Sequence, residues 1–219
     1  AIVTTRTARE SIGTQLLAAL SADRGDDLRL TEDQRGAIEA ILDDLEGPSP
    51  MVRLLQGDVG TGKTLVAFAA AAAAAAAGYQ TALLAPTELL ARQHAAVANR
   101  LLAGSGVRTG LLVAGDPVAT RRAVRASAAA GETALLIGTH ALLSSGTEFA
   151  RLGLVIVDEQ HRFGVEERAR LLAKGAGEPH LLLMTATPIP RTIAQLLYAD
   201  ISTSELRALP AGRKPIRTV

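Results

Sequence analysis

The sequence predicts an α/β fold in which a mostly parallel β-sheet is covered by helices on both faces. Three observations predict it: short apolar runs recur along the chain, helical stretches separate them, and polar motifs follow directly after several of the runs. Strands that are apolar on both sides are typical of a parallel sheet buried between helices. Such sheets bind ligands at the carboxyl ends of their strands, which is where these polar motifs fall.

The composition excludes several classes of protein. The 219 residues contain no cysteine, which excludes disulfide scaffolds and cysteine-ligated metal sites. The formal net charge of +1 gives the chain as a whole no attraction for a polyanion, so a nucleic-acid site has to be a local patch. The longest apolar run, 65–77, is mostly alanine and shorter than the ~20 apolar residues of a membrane span. We therefore expect a cytoplasmic protein without a membrane partner.

The predicted elements alternate along the chain. Apolar residues at helical spacing within 9–22 predict a helical arm or linker over 1–27, ahead of a main domain over 28–219. Strands are predicted at 52–55, 81–84, 110–113, 134–137, 154–157 and 181–184. Helices are predicted at 33–45, 63–77, 88–102, 119–130, 165–173 and 191–197. Alanine is the best helix former, so the alanine run 69–77 continues the helix that begins at Lys63, and Gly78 ends it.

A glycine-rich segment follows the first predicted strand and opens a helix. It fits the spacing of a phosphate-binding loop, in the strand-to-helix context that such a loop requires. Its glycines allow successive backbone N–H groups to point at phosphate oxygens, and the helix N-terminus adds partial positive charge. We expect Lys63 to reach the terminal phosphates and the Thr64 hydroxyl to ligate Mg²⁺. The predicted nucleotide-binding residues of the segment are Gly57, Asp58, Val59, Gly60, Thr61, Gly62, Lys63 and Thr64.

An acidic pair, Asp158 and Glu159, follows the apolar strand 154–157. Carboxylates at the end of a buried strand are costly unless they face a cation or water. We expect Asp158 to ligate Mg²⁺ and Glu159 to activate the attacking water. The predicted catalytic residues are thus Lys63, Asp158 and Glu159. A solvated turn is the better interpretation of the pair alone, and the phosphate loop is what favours a site.

Further motifs narrow the family. Segments 85–94, 138–140, 158–161 and 185–192 occur in the order and spacing of a helicase motor lobe. On these residues the chain resembles the first motor lobe of the superfamily-two helicases. The strings at 54–63, 158–165 and 209–215 make it most similar to the ATP-dependent branch-migration helicases among them. The transcription-repair coupling translocases, which share Arg-Phe-Gly-Val and Thr-Ala-Thr-Pro-Ile-Pro-Arg-Thr, are the alternative, and Gln160 with His161 favours the branch-migration group.

The resemblance implies a RecA-like P-loop NTPase fold that uses ATP and Mg²⁺ and acts on branched or forked DNA. It also implies a role for Gln34, which matches the family's glutamine that reads the adenine edge. A side-chain amide presents both the donor and the acceptor that adenine requires. Leu28 departs from the family, in which an aromatic side chain often packs on the base. Adenine selectivity is therefore expected to be weaker.

Two further groups of residues take their roles from the resemblance. The group expected to couple the ATP state to lobe movement is Gln160, His161, Thr185, Thr187 and Arg191. In it, the threonine hydroxyls are expected to hydrogen-bond the histidine across neighbouring strand ends. The group expected to hold the DNA backbone is Pro86, Thr87, Thr139 and His140. Thr87 also suits the N-cap of the next helix, and the two roles are compatible.

In this family a second motor lobe brings arginines to the transferred phosphate, and a wedge domain splits forked DNA. Both are expected as partners from the same full-length chain. We expect this lobe alone to bind ATP but to hydrolyse it poorly, because such arginines are worth ~10³ to 10⁵ in rate. A non-hydrolytic nucleotide-binding module and a protein-remodelling ATPase are the alternatives. His94 and His180 lack the spacing of metal ligands, so a zinc site is not predicted.

Overall fold

The structure, a computed structural model, describes residues 30–187 and 201–208. The strands in these ranges are β1 (Val52–Gly57), β2 (Gln80–Leu84), β3 (Thr109–Leu112), β4 (Leu135–Gly138), β5 (Leu152–Val157), β6 (His180–Thr185) and β7 (Ser202–Leu206). The α-helices are α1 (Glu32–Glu46), α2 (Lys63–Ala76), α3 (Glu88–Leu101), α4 (Val118–Ala129) and α5 (Val165–Leu172). Two short 3₁₀ helices span His140–Leu143 and Gln160–Arg162.

The seven described strands form one sheet in the order β3-β4-β2-β5-β6-β1-β7, and every neighbouring pair is parallel. The parallel sheet predicted from the apolar runs is therefore confirmed. Adjacent strands lie about 4.8 Å apart. The carboxyl ends of β1, β6 and β5 consequently follow one another along a single edge of the sheet. That edge carries the phosphate loop, Thr185 and the acidic pair.

The core consists of two layers, one on each face of the sheet. On one face, α1, α2 and α3 pack against strand residues such as Leu83 and Ile156. On the other face, α4 and α5 pack against the residues that point the opposite way, such as Leu84 and Val155. Strand residues therefore contribute to both layers, which explains why the strands are apolar throughout rather than alternating.

Helix α2 is the most deeply buried helix of the described chain. All ten residues from Leu65 to Ala74 are buried, and seven of them are alanine. Small side chains allow a helix to lie close to a sheet, and this is what the alanine run does here. Gly78 follows the helix with a φ of +77°, a left-handed conformation that glycine adopts without strain. The predicted end of the helix at Gly78 is confirmed.

Strand β7 is a correction to the sequence-based prediction. Its residues, Ser-Thr-Ser-Glu-Leu, form no apolar run, so their sequence gives little sign of a strand. An edge strand can nevertheless be polar, because only one of its sides is paired. The buried Arg53 of β1 connects β7 to the rest of the domain. Arg53 Nη1 donates to Ser204 Oγ of β7 (2.8 Å), and Arg53 Nε donates to Asp44 Oδ2 of α1 (2.7 Å).

The other six described strands and the five described α-helices begin and end within two residues of their predicted bounds, whereas the two 3₁₀ helices were not predicted. The predicted arm over 1–27, the helix at 191–197, Leu28 and Arg191 lie outside the described residues. The domain boundaries therefore stay predictions. Among the helices that the structure describes, none has both the length and the apolar character to cross a bilayer.

Candidate functional site

The phosphate loop connects the carboxyl end of β1 to the first turn of α2. Gly60 and Gly62 adopt φ angles of +88° and +92°, so the tight turn depends on glycine at these two positions. The buried Thr61 closes the turn, because its Oγ1 donates to the carbonyl oxygen of Asp58 (2.9 Å). The loop is therefore a compact, glycine-dependent turn at the N-terminus of α2, which is the setting in which backbone N–H groups can bind phosphate.

Lys63 is the first residue of α2, and its ammonium group turns back into the loop. Its Nζ donates to the carbonyl oxygens of Gly57 (2.6 Å) and Asp58 (3.0 Å). Burial lowers the pKa of Lys63, whereas the negative charges of Glu159, Asp158 and Asp58 oppose that shift. The lysine thus lies in the electrostatic field of the acidic pair. The structure brings the two predicted halves of the site together at one edge of the sheet.

The acidic pair ends strand β5. Asp158 is only 8% exposed, and its backbone N–H donates to the carbonyl oxygen of Leu84 on the neighbouring strand (2.9 Å). Glu159 has φ +47° and is the one non-glycine residue with positive φ in the described ranges. Holding such a residue in the left-handed region costs about 1–3 kcal/mol, and such outliers cluster at functional sites. The turn at Glu159 redirects the chain into the 3₁₀ helix Gln160–Arg162.

His94 belongs to this site although sequence reasoning gave it no role. Its Nε2 lies 2.7 Å from Oδ2 of Asp158, and both residues are buried. His94 comes from α3, the helix that follows β2, and β2 is the sheet neighbour of β5. A histidine on the helix next to the acidic strand is the only sequence signal for this contact, and it requires the strand order to be known.

The donors at this edge suit Mg²⁺ bound together with a triphosphate. The Asp158 carboxylate and the Thr64 hydroxyl are oxygen donors, which Mg²⁺ prefers. Within residues 30–187 and 201–208, no group of three or more His, Cys, Asp or Glu side chains is placed to hold a metal ion. Mg²⁺ commonly takes one or two carboxylates and fills its remaining positions with phosphate oxygens and water. One carboxylate and one hydroxyl therefore fit Mg²⁺ that is bound together with a nucleotide.

Gln34 is held against the phosphate loop by both ends of its amide. Its Nε2 donates to the carbonyl oxygen of Thr61 (2.7 Å), and its Oε1 accepts from the backbone N–H of Thr31 (3.1 Å). The second bond is half of a capping box at the start of α1. Gln34 is 2% exposed. The amide predicted to read adenine therefore also braces the loop, and its adenine role stays a prediction.

Replacing Gln34 with glutamate is expected to weaken ATP affinity about 10-fold. The carboxylate keeps the acceptor for Thr31 but places a second acceptor against the Thr61 carbonyl, and one such unmade bond is worth about 1–3 kcal/mol. Titration with a fluorescent ATP analogue measures the effect. The same change at the exposed Gln93 of α3 is the control. Unaltered affinity in Gln34→Glu would contradict a bracing role.

The predicted coupling residues are only partly brought together. Thr185 Oγ1 and Thr187 Oγ1 lie 2.9 Å apart and hydrogen-bond each other. His161 is exposed rather than buried, and its Nδ1 lies 3.4 Å from Oε2 of Glu159. The expected bond between the threonines and His161 is therefore not formed, because the 3₁₀ helix turns the ring back toward Glu159 and the two threonines satisfy each other. Coupling itself stays a prediction.

The segment after the acidic pair is held by a residue that sequence reasoning did not identify. The buried Arg168 of α5 donates from Nη1 to the carbonyl oxygen of Phe163 (2.7 Å) and, more weakly, to that of Gln160 (3.5 Å). The side chain therefore ties the end of the 3₁₀ helix to α5. Gln160 itself is buried beside the strand ends.

The residues predicted to hold DNA follow β2 and β4, which are sheet neighbours. Thr87 is exposed, and its Oγ1 accepts from the N–H of Leu90 (3.2 Å), so the N-cap role is confirmed. Thr139 is buried. His140 is exposed, and its Nε2 lies 2.8 Å from Oε1 of Glu167. The segment with Pro86 and Thr87 and the segment with Thr139 and His140 therefore lie at the carboxyl ends of neighbouring strands. Their exposed side chains are Thr87 and His140.

Comparison with known proteins places the chain among helicases. The sequence model of the DEAD/DEAH box helicase family matches residues 31–196. The ATP-dependent DNA helicase RecG of Synechocystis sp. is 51% identical over 190 residues, which are 87% of this chain and 23% of that protein. RecG of Treponema pallidum is 49% identical over 195 residues, 86% of this chain and 28% of that protein. The chain therefore spans about a quarter of the length of these relatives.

Solved structures agree with the sequence comparison. A structure of RecG bound to a three-way DNA junction matches with a TM-score of 0.75 and 33% identity, over 96% of this chain and 31% of that one. A DEAD box protein from Methanococcus jannaschii matches with a TM-score of 0.68 over 88% of this chain and 53% of that one, and its 19% identity shows the fold alone. The predicted RecA-like fold and the resemblance to superfamily-two motor lobes are confirmed.

Proposed function

Because this chain belongs to the DEAD/DEAH box helicase family, we propose that it is the first motor lobe of a RecG-like, ATP-dependent DNA helicase. One observation carries the proposal. The phosphate loop follows β1 and the acidic pair follows β5, separated in the sheet only by β6, so a triphosphate on the loop would lie near both carboxylates. This is the arrangement that phosphoryl transfer to water requires.

The chain's own groups would bind and orient ATP. The loop amides and the N-terminus of α2 would receive the phosphates, and Lys63 would exchange its two carbonyl contacts for phosphate oxygens. Asp158 and the Thr64 hydroxyl would hold Mg²⁺, which when bound neutralises charge on the phosphates. Glu159 would accept a proton from the attacking water, and its left-handed backbone places it at the start of a turn rather than within the strand.

Branched or forked DNA is the proposed partner. The RecG structure to which this chain is similar has a three-way DNA junction bound, which supports branched DNA as the partner. The exposed Thr87 and His140, in the two segments that also contain Pro86 and the buried Thr139, would contact the backbone without reading sequence. The second motor lobe and the wedge domain would come from the same full-length chain, and the protein would act in the cytoplasm. This lobe alone would bind ATP and hydrolyse it poorly.

Forked DNA is expected to stimulate ATP hydrolysis by the full-length protein several-fold more than linear duplex of the same length. The reason is that a motor hydrolyses ATP productively when its strand-end loops engage the substrate. Steady-state ATPase assays with the two DNAs, and without DNA, measure the effect. Lys63→Ala is the control, because it removes the cation that contacts the phosphates and should abolish all three activities.

Two outcomes would favour the alternatives. Nucleotide binding without hydrolysis in the full-length protein would indicate a non-hydrolytic module. Hydrolysis that linear duplex stimulates as strongly as the fork would contradict a branched substrate and favour a translocase like the transcription-repair coupling factors.

A further inference from the structure

The carboxylate proposed to hold Mg²⁺ is itself held by a buried histidine from a neighbouring helix. We propose that His94 is a positioning residue that fixes the orientation of the Asp158 carboxylate for Mg²⁺·ATP. The inference rests on the proposed function, since it assigns His94 a task within the same nucleotide site. Three features of the structure support it: the contacts of the Asp158 carboxylate, the packing around the His94 ring, and the position of Phe68 on the helix that begins at Lys63.

The contacts of the Asp158 carboxylate leave it little freedom. Oδ1 accepts from the backbone N–H of Glu159 (3.0 Å), and Oδ2 lies 2.7 Å from Nε2 of His94. As a ligand of Mg²⁺, the Asp158 carboxylate would be ionised and could only accept hydrogen bonds, so His94 would be the donor. With one bond on each oxygen, rotation of the carboxylate about its own axis would break both. Each oxygen still has a free lone pair, because a carboxylate offers about four acceptor positions.

The ring of His94 is confined on its other side. Phe68 of α2 packs against it edge to face, with ring centroids 6.5 Å apart and planes at 84°. His94 is 8% exposed and Phe68 is fully buried, so neither ring has room to turn toward solvent. A donor whose orientation is locked by packing is what holds a metal ligand in place, and partners of this kind are worth 10–100-fold in metal affinity or activity.

The same helix supports both halves of the site. Helix α2 begins at Lys63 and Thr64 and presents Phe68 to His94 little more than one turn later. Helix α2 therefore contributes to both halves of the site. Its first residues belong to the phosphate loop, and its Phe68 packs against His94, which contacts the Asp158 carboxylate. If the contact between His94 and Asp158 were only structural, it would satisfy two buried polar groups, and its loss would not affect nucleotide binding.

The Mg²⁺ dependence of nucleotide binding separates these roles. The test measures the affinity of the full-length protein for a non-hydrolysable ATP analogue with Mg²⁺ and with a chelator. In His94→Ala we expect the gain in affinity due to Mg²⁺ to fall about 10–100-fold, with the Mg²⁺-free affinity unchanged. His94→Gln keeps an N–H donor at a similar reach and should retain most of the gain. His94→Asn is too short to reach Oδ2, and it serves as the deficient variant if His94→Ala does not fold.

A matched control is His180→Ala. His180 is also a buried histidine, and its Nδ1 accepts from the backbone N–H of Met51 (3.0 Å), but it lies at the amino end of β6, away from the site. The variant should lose folding stability while keeping the full Mg²⁺-dependent gain.

Two results would contradict the role of His94, and a third would contradict the proposed function. An unchanged gain in His94→Ala and His94→Asn, with only a lower melting temperature, would reduce His94 to a structural residue. A loss in His94→Gln as large as in His94→Ala would show that the donor is not what matters, and would also overturn the proposal. Absence of Mg²⁺-dependent binding in the unsubstituted protein would instead contradict the proposed function itself.

Discussion

Replacement of Glu159 by glutamine is expected to lower kcat for ATP hydrolysis in the full-length protein about 10²–10⁴-fold, the usual contribution of a general base. Glutamine has the same shape but accepts no proton from water. The carboxylate of Asp158 and the loop amides are unaltered, so affinity for ATP should change little. Hydrolysis should therefore fail after binding, which a comparison of steady-state ATPase rates with nucleotide titrations detects.

The matched control for this change is Glu178→Gln. Glu178 is exposed and precedes β6, at the sheet edge opposite the acidic pair, so its loss should leave both hydrolysis and binding intact. Retention of more than about a tenth of the normal rate by Glu159→Gln would contradict the role of general base. Loss of ATP binding in that variant would instead show that Glu159 maintains the site's structure.

Replacement of Phe68 by alanine is expected to lower the free energy of unfolding by about 3–5 kcal/mol. Phe68 is fully buried, and the residues beside it and one turn further along α2 (Ala67, Ala69, Ala71 and Ala72) are alanines, which are too short to fill the cavity. Folded proteins are stable by only about 5–15 kcal/mol, so the variant should lie close to the limit of folding. Urea denaturation of the 219-residue chain measures the change.

Phe149→Ala provides the comparison for this prediction. Phe149 is only partly buried, at the margin of the opposite core layer, so its truncation exposes a smaller cavity that water and neighbours can reach. Its cost should be clearly smaller than that of Phe68→Ala. Equal costs at the two positions would indicate that the layer around α2 relaxes to fill the space.

Most of the fold is readable from the sequence because its signals are local. An apolar run before Gly57 and a helix after Lys63 are visible in the residues themselves, and so is the N-cap at Thr87. Strand β7 was not readable, since a polar edge strand differs little from a loop. The order of the strands is also not written in any local pattern.

The candidate site was also predictable in part. The phosphate loop and the acidic pair were identified from spacing, and the structure brings them together. The contact of His94 with Asp158 joins positions 64 residues apart, so it depends on the strand order and not on any motif. The left-handed backbone of Glu159 was equally hidden, because glutamate has no intrinsic preference for that region. His161 was misplaced because a resemblance gives residue roles but not the direction of a turn.

The alanine-rich interior of α2 has a consequence for how this lobe responds to its ligand. Alanine side chains have no rotamers, so ordering them costs no side-chain entropy, and they offer no alternative packing into which the helix might relax. A displacement at the phosphates would therefore lose less of its amplitude to side-chain rearrangement along this alanine stretch than along a helix with longer side chains.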